Sequence, residues 1–420
     1  MQIKKLAVAT MVASTSFSTF AADNINISSV INVGYTERDE FNGIAGYGVD
    51  EHAAGLKQGF WVDHTELTLS APIDDMFYGK VSLVLDEHDG ATEIELEEAF
   101  VQTIGLDYGL SLRVGRFLSN VGYLNNKHAH TDSFADRPLV YRAFLNDHYY
   151  DDGVRVSWVA PTDLYLEIGS ELFKGGQMPA YSDGSGVGAT SLFVKTGGDI
   201  NEEQSWQLGV SYLGFDNDKG ACSAHDHGHE EDHAHEDEHE AEHEHEEGLE
   251  EHFIAGACDF SGKKDSYLVD FVWKWAPDGN YKYQNLTFAA EYFWVKEDGE
   301  LGHHEEHEEH GVHADEISML AENMHHDEQH GEHHGYYVSG VYQFSPNWAA
   351  GLRYSEVDFD APYSDGFRPS IATAMVEYRH SHFSTVRWQF NQDKSVEEIT
   401  DNQVTLQFSM VLGDHSAHQF

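Results

Sequence analysis

The sequence predicts an all-β protein, a transmembrane antiparallel β-barrel of about sixteen strands with short periplasmic turns and long extracellular loops. Three observations carry this. Apolar and polar residues alternate with a period of two in run after run. The connections between the runs alternate between short and long. The chain opens with an export signal, and nothing after it approaches the roughly 18 to 20 continuous apolar residues of a membrane helix.

Residues 1–21 read as a signal peptide, with Lys4 and Lys5 as the basic start, Leu6 to Ala13 as the apolar stretch, and Thr19-Phe20-Ala21 before the cleavage point. Residues 22–420 then form the barrel. Strands are expected to begin near Ile25, Phe60, Phe77, Glu93, Gly109, Gly153, Leu164, Thr190, Ser205, Ser266, Asn285, Tyr336, Trp348, Ile371, Ser384 and Gln403. In the third of these, Phe77, Gly79, Val81, Leu83 and Leu85 share one face, and Tyr78, Lys80, Ser82 and Val84 the other. In the eleventh, Leu286, Phe288, Ala290, Tyr292 and Trp294 oppose Thr287, Ala289 and Glu291. In the last, Val404, Leu406, Phe408, Met410 and Leu412 oppose Thr405, Gln407 and Ser409, and the strand is expected to end near Leu412. Short links such as 160–163 (APTD) and 345–347 (SPN) alternate with long ones at 36–58, 117–152, 216–265 and 296–335. A soluble sandwich or propeller explains the alternation equally well, but not this rhythm in an exported, aromatic-rich chain. With the first strand rising from the periplasm, every long loop is extracellular.

Two of those loops hold histidine–carboxylate tracts. The first contains His225, His227, His229, His233, His235, His239, His243 and His245, with His252 at its end. The second contains His303, His304, His307, His310, His313, His325, His326, His330, His333 and His334. Imidazole and carboxylate are ligands of Zn²⁺ and its first-row neighbours. The spacing defines no closed cage, so many overlapping labile sites are expected, for Zn²⁺ first and with Ni²⁺, Co²⁺ or Cu²⁺ also suited. A solvated acidic loop is the plainer alternative, but such loops do not concentrate imidazole. The chain's net charge of −50 excludes nucleic acid and favours cations as partners. The only cysteines, Cys222 and Cys258, flank the first tract. In an oxidising compartment they are expected to pair, closing a loop of about 37 residues for roughly 3–4 kcal/mol; thiolate metal ligation is the alternative.

The loop 117–152 is the third extracellular loop in this count, where many porins fold a loop inward. His128, His130 and Asp132 are expected there as one metal way-station, and His148 with Asp151 and Asp152 as another. Asp136, Arg137 and Arg142 would set the local field. His64 and Glu66 on the second strand, Glu93, Glu95 and Glu97 on the fourth, and Arg113 on the fifth are expected to line the lumen. Glu98 falls on the wrong face unless the strand bulges. A hydrogen-bonded structural loop and an ordinary polar lining are the plainer readings of these groups. No catalytic role is expected: GxSxG and the P-loop are missing from the sequence.

The stretch 113–172 (RVGRFLSNVGYLNNKHAHTDSFADRPLVYRAFLNDHYYDDGVRVSWVAPTDLYLEIGSEL) and the ending VTLQFSMVLGDHSAHQF resemble a group of zinc-regulated proteobacterial outer-membrane proteins. These are often labelled TonB-dependent receptors and are distantly similar to the phosphate-selective porin O/P group. The resemblance implies a monomeric or homotrimeric barrel in outer-membrane lipid, linked to zinc limitation. The receptor label implies a plug domain and about 22 strands, whereas strands here are expected within a few residues of the mature N-terminus. An anion pore implies a basic lining, whereas this chain is acidic throughout.

The expected function is an outer-membrane channel that concentrates and admits divalent metal. A barrel-anchored surface metal buffer and a TonB-linked receptor are the alternatives. Metal binds only neutral imidazole, whose pKa is about 6.5, so protons compete with the ion. Zinc held by each tract, prepared as a peptide, should therefore fall several-fold from pH 7.5 to 5.5 in equilibrium dialysis. Calcium, needing only carboxylates, should fall less; equal losses would remove imidazole from the ligand set.

Overall fold

The computed structural model describes residues 25–39, 44, 55–62, 64–88, 91–180, 182, 186–217, 260–301, 327–361, 364 and 366–413. The expected leader, the first tract with both cysteines, His303 to His326 of the second tract, and the tail after Gly413 lie outside the described residues.

Seventeen strands form one antiparallel sheet. They are β1 (Asn26–Glu37), β2 (Gly59–Val62), β3 (Thr65–Pro72), β4 (Phe77–His88), β5 (Ala91–Thr103), β6 (Leu110–Leu118), β7 (Tyr150–Val159), β8 (Tyr165–Phe173), β9 (Ala189–Asn201), β10 (Gln204–Asn217), β11 (Phe260–Trp275), β12 (Asn285–Leu301), β13 (Asp327–Ser345), β14 (Trp348–Asp358), β15 (Ser370–Ser381), β16 (Ser384–Lys394) and β17 (Asp401–Gly413). From β3 onward each pairs with its neighbour in sequence, and β1 closes the ring on β17 from Ser28↔Gly413 to Glu37↔Val404. β2 and β3 both pair with β1 and form one interrupted wall strand, so the barrel has 16 strands. Closure matters because an open sheet edge in lipid would leave a row of unpaired backbone amides, each costing several kcal/mol.

The alternation resolves into two surfaces. Outward residues such as Val154, Val156, Leu192, Val194, Val210, Val269 and Phe271 are exposed and form the lipid-facing band. Aromatic contacts mark its two margins. Trp348 lies near Tyr378 and Trp388 at the short-turn end, and Tyr267 lies between Tyr212 and Trp294 at the other. Such girdles suit rings that are apolar in body and polar at the tip. Inward residues are largely polar and buried, including Asn32, Ser82, Glu171, Lys195, Gln389 and Thr405.

Most strand starts agree with the sequence expectation to within three residues, and β17 ends at Gly413, next to the expected Leu412. Two starts do not. β11 begins at Phe260 rather than Ser266, and β13 at Asp327 rather than Tyr336. The long second-tract loop is correspondingly shorter than 296–335, because β12 and β13 stay paired out to Leu301↔Asp327. DEQHGEHH carries no apolar face, so periodicity could not mark it as a strand; backbone pairing above the membrane requires none. The inner surface also departs from a purely polar lining. Phe293, Val295, Val357 and Ile371 face inward and are fully buried.

Val269 lies mid-strand on the lipid face and is 45% exposed. Val269→Arg should destabilise the barrel by about 1–3 kcal/mol, the cost of a cation between the aromatic girdle and the bilayer midplane, measured by urea unfolding in phospholipid vesicles.

Candidate functional site

The connection from β6 to β7 folds into the barrel. Its ends are knotted by Asn125, whose Nδ2 donates to the carbonyls of Ser119 (2.9 Å) and Tyr149 (2.8 Å) while its Oδ1 accepts from Tyr149 N (2.7 Å). Arg137 ties the middle, donating to Asp132 Oδ2 (2.8 Å) and to the carbonyls of Leu124 and Lys127. A short helix, α1 (Leu139–Leu145), is buried along its whole length. Tyr141 and Phe144 pack on Phe293, with centroids 5.2 and 6.1 Å away, and Phe144 also meets Phe359 at 5.9 Å. This helix covers the inward apolar patch of β12 to β15. Each side chain buried so fully contributes about 1.5–3 kcal/mol. A loop that must lie across a wet lumen thus carries its own hydrophobic fastening.

Polar contacts fix the loop to the wall on several sides. Glu291 of β12 accepts from Tyr123 N, Tyr141 Oη and Tyr337 Oη at 2.7–2.9 Å. Gly122, at φ +61°, passes so close that a Cβ there would lie 2.5 Å from Glu291 Oε2, which is why this position has no side chain. Arg353 of β14 donates to Asp136 (2.7 Å), and Arg387 of β16 to the Asp132 carbonyl (2.9 Å).

Where the loop meets β3 and β5, metal-ligating side chains converge. His128 Nδ1 lies 2.8 Å from Glu97 Oε2 and 3.2 Å from Glu66 Oε2. His130 Nδ1 lies 3.1 Å from the same Glu66 oxygen, and the two imidazoles stack at 5.7 Å. His148 Nε2 is 3.2 Å from Glu97 Oε1, and its Nδ1 is 3.4 Å from Asp147 Oδ2. His64 stands 6.0 Å from His148, ring to ring. His128 Nε2 faces Glu98 (2.9 Å) and Lys80 Nζ (2.6 Å), and Lys80 in turn donates to Glu98.

Two β-bulges make this convergence. In β5 the register passes from Ser82↔Glu98 to Leu83↔Leu96, leaving Glu97 as the extra residue, so Glu97 and Glu98 both turn inward at 3% and 4% exposure. This is the bulge that the position of Glu98 required. Between β2 and β3 the pairing with β1 passes from Val33↔Val62 to Val30↔Glu66, again one residue long, and His64 takes φ 43° beside the insertion.

The electrostatics follow from burial. Burial disfavours charge on His128, but Glu97, ahead of Glu66, outweighs it, and the pKa rises to about 10. His148 is raised in the same way, burial being overcome by its hydrogen bonds to Asp147 and Glu97. Burial pushes the Asp147 carboxyl up, but the His148 bond and Arg137 hold it down at about 2. His128 and His148 therefore favour the protonated, cationic form beside these carboxylates.

Of the expected pore residues, His64, Glu66, His128, His130 and His148 come together here. Asp132 does not: it turns from its alternate-position histidines to pair with Arg137. Arg113 lies on the inner face of β6, held by Gln102 Oε1 (2.8 Å) and stacked 4.1 Å over Phe100, outside the cluster. His148 partners Asp147 rather than Asp151 or Asp152. Asp151 is taken up by the amides of Gly175 and Gly176, and Asp152 by Arg116. Among the tract histidines within the described residues, His330 is exposed beside Asp298 (3.1 Å). His333 points into the barrel with both nitrogens engaged, to Glu297 Oε2 (3.1 Å) and the Asp360 amide (3.1 Å). His334 points outward, stacked on Trp294 and bonded to Tyr292 Oη. These last two are wall residues rather than tract ligands, because strand pairing continues through them. Asp147 and Lys80 were not expected at the site; no periodicity connects a loop aspartate to a wall glutamate.

Among solved structures, the chain resembles the outer-membrane channel DcaP of Acinetobacter baumannii (12% identity, TM-score 0.53, covering 92% of this chain and 97% of that one). It also resembles OmpF of Salmonella typhi (11%, TM-score 0.53, 93% and 98%). A third likeness is to OmpT of Vibrio cholerae in its trimer form (8%, TM-score 0.50, 92% and 99%). A protein of Aquifex aeolicus (strain VF5), described as uncharacterized, is 28% identical over 386 residues, 89% of this chain and 73% of that protein. No family model matches. The fold is that of the outer-membrane porins, and the lipid-facing band sets it in the bacterial outer membrane.

Phe144→Ala should open a cavity costing about 3–5 kcal/mol at the loop's apolar fastening. Trypsin should then cut the variant after Lys127 or Arg137 and leave the parent intact, while both migrate as folded, heat-modifiable barrels.

Proposed function

We propose that this protein is an outer-membrane channel that gathers divalent metal ions, zinc first, at its extracellular mouth and admits them down their gradient. The observation that carries the reading is the placing of imidazoles and carboxylates at two stations of one path. The tracts issue from the long-loop end of the barrel, and four histidines stand with Glu66, Glu97, Glu98 and Asp147 where the third loop crosses the lumen. Anionic loops raise the local cation concentration, and histidine binds transiently and releases. The resemblance to zinc-regulated outer-membrane proteins points the same way. By analogy with the trimer form of Vibrio cholerae OmpT, we extend a homotrimeric assembly to this chain. No catalytic role is proposed.

A barrel-anchored metal buffer is the second reading. The apolar fastening of the loop favours it, since a packed lumen conducts little. Planar-bilayer recording separates the two. The channel reading expects cation-selective current with measurable Zn²⁺ permeability, falling several-fold at micromolar zinc when both tracts are replaced by glycine–serine linkers of equal length. Bilayers that stay silent despite inserted, folded protein would establish the buffer.

A further inference from the structure

We propose that the loop–wall cluster is a two-station metal relay: an outer station of His64, Asp147 and His148, and an inner station of Glu66, Glu97 and His128. The proposal rests on the channel reading and names the residues that would carry the ion across the loop.

Each trio can present one donor atom apiece with all three within 4.8 Å of one another. Donors bound about 2.0–2.2 Å from a tetrahedral ion stand roughly 3.3–3.6 Å apart. The separations at the inner station, 2.8 and 3.2 Å from His128 Nδ1 to its two carboxylates, need only a small outward adjustment to admit an ion. The ligand chemistry, imidazole with carboxylate and no thiolate, fits Zn²⁺, Co²⁺ or Ni²⁺ and leaves room for water to complete the shell.

The orientation of His128 supports the assignment. Its Nδ1 faces the carboxylates of the trio, and its Nε2 faces Glu98 at 2.9 Å with Lys80 Nζ at 2.6 Å. Metal-ligating histidines commonly donate their second nitrogen to an outer carboxylate, which fixes the tautomer and raises basicity. Lys80, bonded to Glu98, holds that carboxylate in place.

Glu97 connects the stations, with Oε2 toward His128 and Oε1 toward His148. β3 runs from the long-loop end toward the short-turn end, so His64 precedes Glu66 by two residues, about 6–7 Å along the strand and about 5 Å along the pore. An ion leaving the outer trio meets a carboxylate already shared with the inner one. The β5 bulge is what places Glu97 between the stations.

The test uses the whole barrel with the first tract and residues 303–326 of the second replaced by glycine–serine linkers, its folding verified by heat-modifiable migration, so that tract binding does not mask the site. Titrated with Co²⁺ and then Zn²⁺, it should bind one to two ions per barrel, with a Co²⁺ absorption band that zinc abolishes. Glu97→Gln and His148→Gln should each weaken binding at least tenfold, whereas His380→Gln, at the exposed end of β15, should leave it unchanged. In the full-length channel, micromolar Zn²⁺ should retard monovalent current, and Glu97→Gln should relieve that block at least tenfold. Failure of the tract-replaced barrel to bind either ion, or equal binding by all variants, overturns the relay. If the full-length channel still passes zinc in that case, the channel reading survives without it. Metal binding by a barrel that never conducts would instead keep the site and overturn the channel.

Discussion

The burial of α1 against the inner wall is the interaction on which the lumen's organisation depends. Leu139, Tyr141, Phe144 and Leu145 are fully buried or nearly so, and they cover the inward Phe293, Val295, Val357 and Phe359. An uncovered patch of that kind inside a water-filled barrel would be unfavourable by several kcal/mol. Covering it holds the third loop on the β12–β15 side. The remaining length of loop must then cross to β3 and β5, and His128, His130 and His148 are delivered to the opposite wall by that crossing.

The wall meets the loop halfway through its irregularities. A regular strand places every second side chain inward, which gives one carboxylate per pair of residues. The bulge in β5 breaks that rule at Glu97 and Glu98 and doubles the local acid. The insertion between β2 and β3 does the equivalent for His64 beside Glu66. Chemistry is concentrated where the period of two fails, and the surrounding ladder of hydrogen-bonded strands sustains the departure.

This also explains what the sequence disclosed and what it withheld. Sixteen alternating runs were legible because lipid on one side and polar groups on the other impose the period everywhere. The third loop's inward course was legible from its length, order and histidines. Glu98 was legible as an anomaly, because it broke the pattern of Glu93, Glu95 and Glu97. Partners across space were not legible. Asp132 lay at the right spacing and went to Arg137; Asp147 lay at no meaningful spacing and joined His148. Local alternation states which face a side chain takes, and a loop in left-handed turns at Asn146 and Asp147 obeys no such rule. The strand through His333 and His334 was hidden for a different reason: above the membrane, nothing selects for an apolar face.

That last strand pair sets a height. The girdle at Tyr292, Trp294 and His334 marks the lipid headgroups, yet β12 continues to Leu301, paired to Asp327 of β13. At about 3.3 Å per residue and a tilt near 45°, this hairpin rises roughly 15 Å beyond the girdle. The Debye length in physiological salt is about 8 Å. Leu301 and Asp327 at the tip of this pairing therefore stand nearly two screening lengths above the membrane, where cations no longer crowd against anionic headgroups. Under the proposed function, an ion gathered above that hairpin would be drawn from the bulk solution rather than from the layer condensed on the cell's own surface.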